Sequence, residues 1–96
     1  MVAAWRHPLL ARAREADRAG RCRREVPIRL RLGDGGLCEG TVDLAFEERD
    51  GWLVVDFKTD RALGLDERVY AFQVALYAEA IAKATNRPAR AMLVRI

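Results

Sequence analysis

The hydrophobic positions of this chain change period several times, and each change marks an element. From Trp5 to Arg18, Leu9, Leu10, Ala13 and Ala16 recur at helical spacing with arginines between them. Pro8 suits a first helical turn and Gly20 closes the segment. Over residues 25–32 (EVPIRLRL) the period drops to two. Val26, Ile28, Leu30 and Leu32 fall on one face and Arg29 and Arg31 on the other, as in a half-buried strand. Pro27 places that strand at a sheet edge or marks its beginning. Residues 33–36 (GDGG) read as a turn, and residues 37–46 (LCEGTVDLAF) as a second strand in which Gly40 marks a bulge or a close approach. A second turn follows at 48–51 (ERDG), then a third strand at 52–58 (WLVVDFK). Residues 65–86 carry the strongest helical pattern, with Asp66 and Glu67 favouring its start and Asn86 and Pro88 its end. Residues 90–96 form a last strand. The order is α-β-β-β-α-β, an α/β class chain with a mixed four-stranded sheet and flanking helices. A fourth strand parallel to the third requires a right-handed crossover.

One stretch breaks this pattern. VVDFKTD (54–60) begins as a buried strand and then sets Asp56 and Lys58 two residues apart, on one face. Asp43 of the second strand joins them in either of two hairpin registers. A two-residue Asp50–Gly51 turn sets it opposite Lys58, and a four-residue loop sets it opposite Asp56. A three-residue loop turns it away. Two neighbouring carboxylates repel unless a positive charge lies between them. Lys58 supplies one charge; a hard divalent cation, Mg²⁺ or Mn²⁺, neutralises the pair better. A lysine beside it can orient a bound water or stabilise charge on a phosphate. A salt bridge from Lys58 to Asp56 or Asp43 at the sheet rim accounts for the spacing as well.

Glu25 adjoins the same region. It either holds a metal, through water or as part of a second site, or is a surface acid beside Arg23 and Arg24. On the 65–86 helix, Val69, Phe72, Leu76, Tyr77 and Ala80 form an apolar stripe with Gln73 in its middle. A buried amide needs partners, and the catalytic face can supply them. Tyr77, four residues on, either reaches the same target or packs in the core.

Length and charge narrow the classes. A chain of 96 residues suits one small domain, which buries only a little over ~60% of its unfolded surface. No apolar run approaches the ~18 residues of a membrane helix, and the N-terminus lacks the apolar segment of a secretory signal. Cys22 and Cys38 form no CxxC or Cys/His cluster and read as free thiols in a reducing cytoplasm. The formal net charge of +3 is uneven: residues 1–31 hold nine arginines against three acids, whereas the remainder is acidic. A basic flank beside an acidic remainder suits a polyanion partner and a cation site.

With those residues in place, EGTVDL, VVDFKTD and YAFQVALY resemble the PD-(D/E)XK nuclease superfamily. Within it the likeness is to the RecB-like nuclease domains of AddA- and UvrD-like helicase–nucleases. Gly40, Asp43 and Leu44 match the G-x-x-D-L signature; Asp56, Phe57, Lys58 and Thr59 match D-[YF]-K-T; Tyr70, Gln73 and Tyr77 match Y-x-x-Q-x-x-x-Y. RREVPI resembles the family's R-E-x-P-[FI] strand, which carries Glu25. The likeness covers residues 21–80 and implies a restriction-endonuclease-like core. It further implies Asp43, Asp56 and the Phe57 carbonyl as metal ligands, Glu25 assisting at the metal, and Lys58 as the catalytic lysine. Gln73 and Tyr77 would support the site or contact DNA. The implied activity is Mg²⁺- or Mn²⁺-dependent hydrolysis of DNA phosphodiesters, exonucleolytic in mode, in DNA repair and recombination. The implied partners are DNA and a helicase in cis or in trans. The alternative is a non-catalytic module that keeps the fold and binds DNA or a helicase. Residues 1–96 would be one domain, alone or as a piece of a larger helicase–nuclease. RecB-like domains also carry a metal-binding histidine on an earlier helix. The one histidine here, His7, instead precedes a segment similar to the one just before the family's glutamate strand.

Overall fold

The structure, a computed structural model, describes residues 8–95, and for residues 60–66 only the course of the backbone. Trp5, His7 and Ile96 therefore lie outside the described residues. The elements are α1 (Pro8–Arg18), β1 (Cys22–Arg31), β2 (Leu37–Glu48), β3 (Gly51–Lys58), α2 (Asp60–Thr85) and β4 (Ala89–Arg95). The sheet order is β1-β2-β3-β4, with the first two pairings antiparallel and β3–β4 parallel. This is the α-β-β-β-α-β arrangement with a mixed four-stranded sheet expected from the periodicity. Pro27 lies on edge strand β1, where its missing N–H matters least.

Two apolar layers cover the sheet. On one face Leu9, Ala13 and Ala16 of α1 pack on Leu44, Phe46, Leu53, Val55 and Val94. On the other, Val74, Tyr77, Ala78 and Ile81 of α2 pack on Ile28, Leu30, Val42 and Val54. Strict alternation cannot produce both lists, because Val42 faces α2 while Leu44 and Phe46 face α1. β1 does the same, with Cys22 on the α1 face and Val26, Ile28 and Leu30 on the α2 face. Both strands thus reverse their pleat at one step, at Glu25 on β1 and Asp43 on β2, and register is unchanged from Arg24↔Leu44 to Val26↔Val42. Glu25 takes the left-handed conformation, φ 50°, to make the reversal.

Most boundaries shift by a residue or two, and three departures have a visible physical cause. β1 starts at Cys22 instead of residue 25, because its polar first residues hide a strand whose facing changes at Glu25. The hairpin turns at Arg49–Asp50 between paired Glu48 and Gly51, giving the register of the four-residue alternative with a shorter loop. Gly51 serves a close approach instead of the turn: a Cβ there would sit 2.4 Å from the Pro88 carbonyl oxygen. That oxygen accepts the Trp52 N–H at 2.8 Å. α2 starts at Asp60 instead of residue 65, with Thr59 in the N-cap position. Gly64 makes that stretch read as a loop, yet one helical glycine costs only about 1 kcal/mol. Asn86, φ 57°, ends the helix as expected.

The apolar stripe of α2 also sits differently. Val69 and Phe72 are 57% and 68% exposed, and the buried line runs through Val74, Tyr77, Ala78 and Ile81. Tyr77 and Ala80 of the expected stripe are buried and Leu76 packs against the same core, so the stripe departs from expectation only at Val69 and Phe72. Phe72→Ser should accordingly shift stability by less than about 0.5 kcal/mol in a thermal melt. A larger loss would mean that the ring is covered.

Candidate active site

The β2–β3 ladder ends at Leu44↔Val55, whereas the β1–β2 ladder continues to Arg31↔Leu37. Beyond Leu44 the first two strands run on as a ribbon, and Asp43 stands at the point of separation. Its Oδ2 accepts the Phe57 N–H at 2.8 Å, a backbone donor left over where the ladder stops. Asp56, one residue before Phe57, is 4% exposed and its carboxyl lies within hydrogen-bonding reach of Asp43. Lys58 Nζ stands 3.1 Å from Asp56 Oδ2 and 4.8 Å from the centre of the Tyr70 ring.

Two carboxylates and one ammonium meet at this point of the sheet. Burial, and then the Asp43 carboxyl beside it, push the Asp56 carboxyl above its ordinary range, against the pull of Lys58. Partial burial would lower the Lys58 ammonium, but Asp56 and Asp43 together hold it above its ordinary value. Lys58 therefore stays charged while two acids share it. Mg²⁺, which keeps several waters and uses one or two carboxylates, suits such an oxygen pair. Among the described residues no group of three His, Cys, Asp or Glu side chains forms a ready-made cage.

Over residues 2–96 the chain matches the PD-(D/E)XK nuclease superfamily. The chain belongs to that superfamily. It is similar to three bacterial proteins, each named as one subunit of an ATP-dependent helicase/nuclease. With the Heliobacterium modesticaldum protein it shares 36% identity over 95 residues, covering 77% of this chain and 7% of the relative. The Anoxybacillus flavithermus protein is 38% identical over 74 residues, 68% of this chain and 6% of the relative. That of Carboxydothermus hydrogenoformans is 46% identical over 55 residues, 53% of this chain and 5% of the relative. The chain thus spans 5 to 7% of the length of these relatives.

In this PD-(D/E)XK chain the remaining candidate residues fall into two groups. Tyr77 is 4% exposed and reaches β2 at Gly40, where an added Cβ would lie 2.0 Å from its hydroxyl oxygen. Burial, then Cys38, Asp56 and Asp43, raise the Tyr77 phenol above its usual range; Lys58 opposes them. Gln73 is half-buried, not fully buried as its place in the expected stripe implied, and makes no side-chain hydrogen bond among the described residues. Glu25 is exposed and, like Asp43, falls in the unpaired step between Arg24↔Leu44 and Val26↔Val42. The structure brings Asp43, Asp56, Lys58 and Tyr77 together, with Glu25 beside them. His7 lies outside the described residues. Two further features leave little trace in the sequence. Tyr70 stands there only as a motif letter, yet its ring lies by the Lys58 ammonium. Arg14 and Arg24 line a cleft that Asp43 also lines, and the arginine excess of residues 1–31 is the one signal that points to them.

Proposed function

We propose that this chain is a Mg²⁺- or Mn²⁺-dependent deoxyribonuclease module acting in DNA repair or recombination. It would work exonucleolytically beside a helicase domain or subunit. The observation that carries the reading is the buried Asp56 carboxyl set against Asp43, with Lys58 3.1 Å away. Asp43, Asp56 and the Phe57 carbonyl would hold the metal, and Glu25 would reach it through water. When bound, the metal would lower the pKa of a coordinated water and neutralise charge on the phosphate.

The chain's own residues divide the rest. The Phe57 N–H fixes one oxygen of Asp43, so that its other oxygen keeps a set direction. Lys58, held charged, offers its ammonium to the nucleophilic water or to the phosphate oxygen that gains charge. Tyr70 under the ammonium restricts where it swings. Tyr77 and Gln73 support the acid pair from α2 or touch DNA.

Mn²⁺ titration followed by electron paramagnetic resonance, with cleavage of labelled DNA in parallel, tests this. The chain should bind Mn²⁺ and cut in Mg²⁺ or Mn²⁺ but not with chelator, and Asp56→Ala should weaken Mn²⁺ at least about tenfold. Equal Mn²⁺ affinity before and after that substitution would falsify the metal assignment. Salt-sensitive DNA binding without cleavage in any metal would mark a module that keeps the fold for binding alone.

A further inference from the structure

Lys58 ends β3, three residues past Val55, the last residue of that strand paired with β2. Two groups hold its ammonium there: Asp56 Oδ2 at 3.1 Å, and the face of the Tyr70 ring, whose centre is 4.8 Å away. Tyr70 reaches this place from α2. It lies about two helical turns before Tyr77, on the same face of the helix, and Tyr77 is buried against the sheet. The two holds differ in kind. The Asp56 carboxylate is charged and contested: the Asp43 carboxyl lies against it, and in the proposed nuclease it is also a ligand of the cation. A divalent ion and an ammonium repel at close range, so a carboxylate that serves the ion loosens its grip on the lysine. The ring face is neutral. Its quadrupole attracts an ammonium, more strongly where water is excluded, and hard cations that prefer oxygen do not compete for it. Here water is largely excluded, since the Lys58 side chain is only 25% exposed and Tyr70 is half-buried.

We infer that Tyr70 is a second seat for the Lys58 ammonium, a positioning residue that keeps it at the end of β3 when Asp56 is engaged elsewhere. Lysine carries its charge on a flexible four-carbon stem. With Asp56 occupied and no ring beside it, that stem would swing toward solvent and take the charge away from the acid pair. With the ring in place, the ammonium changes its anchor without leaving the site. The attraction comes from the ring and not from the phenol hydroxyl, so phenylalanine should serve as well as tyrosine. The inference rests on the proposed nuclease reading for what engages Asp56, but not for the ring contact itself.

Nuclear magnetic resonance of the lysine ε-methylene groups, with chelator present, tests the contact without any metal. The chain has two lysines, Lys58 and Lys83, so the signals are few. Lys83, paired with Glu79 at 3.3 Å on the exposed side of α2, is the internal reference. A methylene held over an aromatic face moves upfield through the ring current. Asp56→Asn imitates an engaged carboxylate, and since burial already favours the neutral form of Asp56, the amide should be tolerated there. The Lys58 signal should lie upfield in the unmodified chain, stay upfield in Asp56→Asn and Tyr70→Phe, and lose the shift in Tyr70→Leu. Phe72→Leu, which removes an exposed ring from the same helix, should leave it unchanged. A Lys58 signal that falls back to the Lys83 position in Asp56→Asn, or that stays upfield in Tyr70→Leu, would overturn the inference. In Mg²⁺-dependent DNA cleavage, Tyr70→Leu should lower kcat about tenfold with KM within about twofold, and Tyr70→Phe should restore the rate. An unchanged kcat in Tyr70→Leu would overturn the positioning role. A ring shift that survives Asp56→Asn in a chain that cuts DNA in no metal would remove the nuclease reading and leave the second seat standing. Cleavage by a chain whose Lys58 shows no ring shift would do the reverse.

Discussion

Lys58→Met is expected to lower the rate of DNA cleavage by about a hundred- to a thousandfold, the range for removing one preorganised charge-stabilising donor. Mn²⁺ affinity should stay within a few-fold of the unmodified chain, because the oxygens that would hold the ion belong to Asp43 and Asp56. The substitution keeps the stem that packs by Tyr70 and removes only the ammonium 3.1 Å from Asp56. Two consequences oppose each other. Loss of the ammonium leaves the two acids to repel, which hinders the empty site, but that repulsion also favours a divalent ion. The cleavage step has no such offset, so kcat should carry the loss. Single-turnover cleavage and Mn²⁺ titration of the same sample separate the two. A chain that cuts at its original rate, or one that loses Mn²⁺ altogether, would show that Lys58 is a structural counter-ion.

The second large effect is expected from the smallest side chain near the site. Gly40→Ala should destabilise the fold by about 2 kcal/mol, in the range for overpacking a closed contact. Alanine normally gains over glycine in a strand by about 0.5–1 kcal/mol, so the steric term has to exceed that gain. It does, because the added carbon would lie 2.0 Å from the Tyr77 hydroxyl oxygen, 2.7 Å from Cζ and 3.0 Å from Cε1. In a chain of this size the melting temperature should fall by about 10 °C. Tyr77→Phe should relieve only part of the cost, since the ring carbons remain, whereas Tyr77→Leu should remove most of it. A double-mutant cycle reads the coupling directly. Additive losses would mean that the strand backbone, not the phenol, rejects the methyl group.

How much of this is legible in the sequence depends on which physical signal each feature leaves. Element order is readable because Val26, Ile28 and Leu30 alternate and the 65–86 stretch carries a helical period. The parallel pairing of β4 with β3 follows from a crossover helix between them. Cross-strand pairing anticipates the meeting of Asp43 with Asp56 and Lys58, but the structure achieves it otherwise. No residue-level period announces a pleat reversal shared by two strands, so alternation assigns Asp43 to a face it does not simply occupy. The exposure of Phe72 and Val69 is hidden because hydrophobicity records what a side chain prefers, not which side of a helix a sheet happens to meet. The turn at Arg49–Asp50 is hidden because Gly51 looks like a turn residue while its real constraint, the Pro88 carbonyl, lies far along the chain. Arg14 and Arg24 are visible only as part of a charge excess, since their shared cleft exists only once α1 lies across β1 and β2.

The twin change of facing at Glu25 and Asp43 has an engineering consequence. In most hairpins, removing one residue from one strand turns everything beyond it inside out. Here each strand has already been turned once, in step with its neighbour, so residues 22–46 behave as a matched cassette. One half of it is addressed to each side of the molecule. Transplanted whole into another antiparallel scaffold, it should carry its acid to the crossover point without resetting the host's strand alignment. Transplanted as a single strand, it should not.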